Sequence, residues 1–197
     1  PESKAASPGQ VALRRILEDK GPTEFRGYEQ LSTESNIVAM LMDHQEVLHI
    51  PAGKSGQVVL DVTPFYAESG GQCGDRGLLM AGETVVAQVS DVHKSGALWV
   101  HEVVAVQDLH TGVSLNALVD SGHRRATAAH HSATHLLHWA LEKVLGAHVK
   151  QEGSQVRPDL LRFDFRHFSP LTQDDIEAIE RLVLDQILNN TPVETAV

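Results

Sequence analysis

The chain has 197 residues, 42% of them hydrophobic and 21% charged, with a formal net charge of −10. That is enough apolar material to bury a core in one unit or two small ones, and the acidic balance excludes a general nucleic-acid binder, whose phosphate contacts need a basic surface. The lone cysteine, Cys73, excludes an internal disulfide framework; no charged-then-apolar leader or run of eighteen apolar residues appears, so a cytoplasmic or organellar-matrix setting without membrane contact is expected.

In chain order, Pro1, Pro8 and Gly9 mark a loose start, and "VALRRILEDKG" predicts one short helix ended by Gly21-Pro22. Residues 1–26 therefore read as the tail of a preceding helical region. From 27 to 119 the apolar runs "IVAMLM", "QVVLDV", "VVAQVSDV", "ALWVHEVVAV" and "VSLNALV" are separated by the turn-rich "PAGKSG", "SGGQCGDRG" and "HKSG". Short runs cut by turn residues predict a small β-barrel-like subdomain.

From 120 the period becomes helical, and "LLRFDFRHF" then alternates Leu161, Phe163 and Phe165 against Arg162, Asp164 and Arg166, as in a half-buried strand. A last helix is signalled by Thr172 with an acid three residues on, by apolar Ile176, Ile179, Leu182, Val183 and Ile187 on one face, and by the stop Asn-Asn-Thr-Pro. Trp139 and Phe168 are expected in the core. The basic residues Arg124, Arg125, Lys143, Lys150, Arg157, Arg162 and Arg166 gather in this region, so a local basic face is compatible with the acidic whole. The class is α+β: a small barrel, then residues 120–197 as an α/β core with a helix packed on an antiparallel sheet.

The stretch "HHSATHLLH" sets four histidines on that helix. At 100° per residue, Ala133, Leu136, Leu137, Ala140, Leu141 and Val144 share the buried side, while His131, His135 and His138 project from the opposite one. His130 falls beside the apolar stripe. The i, i+4 spacing of His131 and His135 lets two imidazoles face one divalent ion, yet the spacing alone equally describes a solvated polar face, since zinc needs further protein ligands.

The segment "VDSGHRRATAAHHSATHLLHWALEKVLGAHVKQEGSQVRPDLLRFDF" resembles the editing domain of alanyl-tRNA synthetases, with its HxATHLL helix, QxGS turn and LRFDF strand. Upstream, "TPFYAESGGQCGDRG" resembles that family's glycine-rich motif, and "GPTEFRGYE" its approach to the domain. The resemblance implies that His131 and His135 are two of four zinc ligands. The other two, a CxxxH pair, have no counterpart: Cys73 lacks a histidine four residues on, so a zinc half-site in an excised middle piece is expected.

It further implies catalytic positions at Glu68, Gln72 and Gln151, with substrate or tRNA contacts at Ser69, Gly70, Gly71, Asp75 and Arg124. The glycine motif would form a loop over the pocket and the terminal adenosine, or on its residues alone a hairpin turn. Gln151 would meet the misacylated amino acid, or be a surface glutamine. Arg124 suits a pairing with Asp120 as well as a phosphate contact, and His101 suits a satisfied strand histidine as well as a functional one. Cys73 reads as a small filler of the loop. The reaction implied is hydrolysis of seryl- or glycyl-tRNA(Ala), with the tRNA(Ala) acceptor end as partner and no obligate protein partner. ATP and Mg2+ would serve only the alanine-activating synthetase domain, which this chain lacks. A free-standing AlaX-type deacylase and a noncatalytic RNA-binding module are the alternatives.

Overall fold

The structure, a computed structural model, describes residues 7–191. The loose start at Pro1 and Pro192 of the expected stop lie outside the described residues. The described residues divide into two compact units, one of residues 7–69 and 73–124, the other of 70–72 and 125–191.

In the first unit, helix α1 (Pro8–Lys20) opens on a capping box between Ser7 and Gln10, with proline where no amide partner is needed, and ends at Gly21 with φ +79°. A two-residue parallel pair, β1 (Glu24–Phe25) with β6 (Val62–Thr63), follows the helix. The main strands are β2 (Ser32–Met42), β5 (Ser55–Leu60), β7 (Gly77–Ala81), β8 (Thr84–Ser95), β9 (Leu98–Ala105) and β11 (Ser114–Val119). They pair antiparallel in the order β11-β7-β8-β9-β5-β2, and β2 pairs back onto β11, which closes the barrel. A short β3 (Gln45–Val47) extends β2, and β4 (His49–Ile50) pairs with β10 (Leu109–His110).

All five predicted apolar runs are barrel strands. They read as runs rather than strict alternation because both faces are covered in places. Val58 points into the barrel cluster with Ile37, Met40, Phe65, Leu79 and Val103. Its neighbour Val59 packs outside, with Ala39, Leu41, Leu98 and Val100, against Leu13 and Ile16 of α1. Residues 8–20, read from sequence as the tail of something upstream, thus supply part of this unit's packing.

The second unit holds most of α2 (Ser121–Leu145), the antiparallel pair β12 (Gln151–Val156) and β13 (Leu161–Phe165), and α3 (Gln173–Asn189). Ala140, Leu141, Val149 and Ile179 form its buried centre, with Leu137, Trp139, Val144, Phe163, Phe165, Leu182 and Val183 packed around them. The predicted caps of α3 are present: Thr172 and Asp175 make a reciprocal box, and Asn190 closes the helix in the left-handed region. One expectation fails here. Phe168 is 89% exposed, because it follows the end of β13 and leans against the His148 ring, with centroids 4.6 Å apart, instead of entering the core. On α3, Ile176 and Ile187 are exposed, so only part of the apolar arc is covered within the unit.

Candidate active site

Within the second unit, α2 and β12 line a cavity of about 180 Å³ whose walls include Gly70, His131, Thr134, His135, His138, Gln151, Ser154 and Phe163. The helix delivers the histidines by period. The His131 and His135 rings are 5.1 Å apart, one turn from each other, and both residues are exposed on the side away from Ala140 and Leu141. His130 is turned away from the cavity lining and donates from Nδ1 to the Arg157 carbonyl at 2.6 Å, in keeping with its place beside the apolar stripe.

His131 Nδ1 lies 2.7 Å from Oε1 of Gln72. Amide oxygen only accepts, so Nδ1 carries the proton, and in a neutral ring the Nε2 lone pair is free. That is the state a zinc ligand requires. His138, one turn further along, has its Nε2 buried without a hydrogen-bond partner; the nearest carboxylate, Glu142, is 3.8 Å away, and its ring lies 5.0 Å from Phe163. Gln151, at the first position of β12, donates from Nε2 to Ser154 Oγ at 2.9 Å. These two hydroxyl and amide groups face the cavity from the strand side.

Among the described residues, no group of three or more His, Cys, Asp or Glu side chains is close enough to hold a metal ion. His131 and His135 fit two corners of a tetrahedral zinc shell, and the remaining corners call for ligands from elsewhere.

Other expected site residues belong to the first unit. Glu68 and Ser69 are exposed members of the first unit, and the Glu68 amide donates to the Val92 carbonyl. Asp75 is 2% exposed and pairs with Arg124 through both carboxylate oxygens; Arg124 also donates to the carbonyls of Gly27 and Pro64, at 2.6 and 3.0 Å. The acid that Arg124 pairs with is thus Asp75, and the two residues tie together separate segments of the first unit, because a buried carboxylate requires a fixed cation and the guanidinium reaches several carbonyls at once.

Their neighbour in the glycine motif, Cys73, is half-buried. His101 likewise proves to be a core histidine. It is fully buried, its Nδ1–H donates to the Val58 carbonyl at 3.0 Å, and its Nε2 accepts from the Thr63 hydroxyl at 2.8 Å. Burial pushes its pKa down to about 4, so the ring is neutral.

Sequence reasoning named Gln72 without finding its partner, and it did not place Ser154 or Thr134 at the cavity. The QxGS pattern around Gln151 holds the signal for Ser154, because residues three apart across a strand irregularity can meet; Gln151 and Gly153 flank such a shift in register.

A family model described as "tRNA synthetases class II (A)" matches residues 2–123. The alanine–tRNA ligase of Acidithiobacillus ferridurans is 46% identical over 96% of this chain and 22% of its own length. That of Pseudomonas syringae pv. tomato is 48% identical over 98% of the chain and 22% of its own length, and that of Aromatoleum aromaticum 45% identical over 100% and 23%. The chain thus spans about a fifth of the length of these curated relatives, and the similarity runs through both units. With more than half of its residues matched by the family model, the chain belongs to the class II (A) tRNA synthetases.

Proposed function

We propose that this chain is the proofreading segment of an alanine–tRNA ligase, and that its second unit hydrolyses the ester linking wrongly attached serine or glycine to tRNA(Ala). The observation that carries the reading is the cavity between α2 and β12, with two imidazoles one turn apart on one wall and the Gln151–Ser154 pair on the other. An alanine pocket separates glycine from alanine by one methyl group, worth only about 1–3 kcal/mol, so a second, hydrolytic sieve is needed.

His131 and His135 hold zinc, together with a cysteine and a histidine from elsewhere in the whole protein. The bound zinc supplies Lewis-acid chemistry next to the ester. Gln151 meets the serine hydroxyl, and Ser154 orients its amide. Gly70 lines the cavity without a side chain and leaves room for the acceptor end of the tRNA. The whole ligase attaches alanine with ATP and Mg2+ in the cytoplasm or organellar matrix. No helix of the described residues is long and apolar enough to cross a membrane.

The test is His131→Ala in the full-length protein. Zinc content and seryl-tRNA(Ala) hydrolysis are expected to fall together while alanine attachment persists. A full-length protein that retains stoichiometric zinc and leaves seryl-tRNA(Ala) intact overturns the reading.

A further inference from the structure

The glycine motif was expected to hang over the pocket as a loop, with glycine permitting close approach to RNA. Its tip does something more specific. Gly70 and Gly71 both adopt positive φ, +59° and +86°, and a Cβ built on Gly71 would sit 2.3 Å from the Ser154 carbonyl oxygen. Backbone meets backbone there. The Val156 amide donates to the Gly71 carbonyl at 2.8 Å, and Gln72 bridges Val156 in parallel register. The tip of segment 70–72 therefore meets the end of β12 at Val156, which pairs with Leu161 of β13 on its other side.

That docking fixes where the Gln72 side chain starts, and its Oε1 then meets His131 Nδ1 at 2.7 Å. We infer that Gln72 is a positioning residue for His131: it accepts the Nδ1–H, and so holds the ring in the tautomer and orientation that keep the Nε2 lone pair available to a metal ion. The inference rests on the reading of His131 as a zinc ligand. An imidazole left to water favours the proton on Nε2, which would block that nitrogen, whereas an acceptor at Nδ1 reverses the preference. Glycine at 71 is then explained by the approach to Ser154, since any side chain there would lift the segment from β12 and carry Gln72 away from His131.

The experiment compares the wild type with Gln72→Leu, Gln72→Glu and Gly71→Ala. The first readout is the protonation of the two His131 ring nitrogens, followed by long-range 1H–15N NMR on the metal-free 197-residue chain above the imidazole titration range. Wild type and Gln72→Glu, which both present an acceptor oxygen, are expected to carry the proton on Nδ1. Gln72→Leu and Gly71→Ala are expected to move it to Nε2, with the fold judged intact from the remaining amide spectrum.

The second readout is zinc affinity of the full-length protein, expected to fall roughly 10- to 100-fold in Gln72→Leu and to be retained in Gln72→Glu. An unchanged tautomer in Gln72→Leu overturns the inference. Were the tautomer to move while the full-length wild type bound no zinc, the Gln72–His131 coupling would stand and the zinc reading would fall.

Discussion

His101 of the first unit and the cavity histidines of the second are held in opposite ways. In the barrel, His101 is sealed and both of its ring nitrogens are engaged by partners on neighbouring strands. In the second unit His131 and His135 are exposed, only Nδ1 of His131 has a fixed partner, and His138 keeps an unpartnered nitrogen. The same contrast holds for packing. The barrel buries large side chains such as Phe65, Met40 and Leu60, while the second unit centres on a small cluster and leaves Leu184, Ile187 and Leu188 of α3 at 52–72% exposure. The first unit is packed closed, while the second, among the described residues, leaves apolar side chains exposed and a ring nitrogen of His138 without a partner.

If that contrast is right, the largest effect on stability should come from Arg124. Arg124→Ala leaves the Asp75 carboxylate buried without its cation, and about 3–5 kcal/mol of barrel stability should be lost. Unfolding in urea, read from Trp99 in a Trp139→Phe background, measures it. A loss below about 1 kcal/mol would mean that the pair is no keystone and would blur the distinction between the units.

The next effect is pH dependence. The folded pKa of His101 lies at about 4, below the ordinary value of 6.5, because burial penalises its charged form. Below 6.5 the unfolded chain takes up a proton that the folded barrel refuses, so stability is full above that pH and falls as the pH drops toward 4. The contribution is on the order of 3 kcal/mol across that window. His101→Gln should flatten the slope of unfolding free energy against pH between 4 and 6.5; equal slopes in variant and wild type would remove His101 as its source.

A smaller effect, on rate and not on fold, belongs to the second unit. Gln151→Leu in the full-length protein should slow seryl-tRNA(Ala) hydrolysis roughly 10- to 100-fold with little change in melting temperature. Glycyl-tRNA, which offers no hydroxyl, should lose less. Equal losses on both substrates would make Gln151 a positioning group. Smallest of all, Leu188→Ser on the exposed side of α3 should change the stability of this chain by within about 0.5 kcal/mol. A cost of several times that would mean the α3 face is already covered.

Much of the barrel was legible because its strands carry apolar runs long enough to stand out between glycine-rich turns. The sixth strand, "GLLMA" at β7, was not picked out, since it begins inside the glycine motif and is only five residues long. The polar "QEGSQV" of β12 reads as a turn; its strand character comes from its ladder with β13, which no local pattern encodes. On α2 the helical period alone separated His131 and His135 from His130. The Gln72–His131 and Asp75–Arg124 contacts join positions 59 and 49 residues apart, so motif reading could name the members without pairing them. Phe168 misled because aromatic character alone was taken as a sign of burial, although it follows the strand's last alternating position.

Because residues 70–72 belong with 125–191, the second unit is discontinuous in the chain. A cut at the 124/125 boundary would fall within α2 and leave a fragment without the 70–72 contact at Val156. The edge of β12 that receives Gly71 and Gln72 would then be bare, with the Val156 amide unpaired, and a bare edge recruits strands from other molecules. Dissecting this protein between residues 124 and 125 therefore invites aggregation, and a soluble minimal version of the second unit would have to carry the glycine tip with it, grafted or supplied in trans.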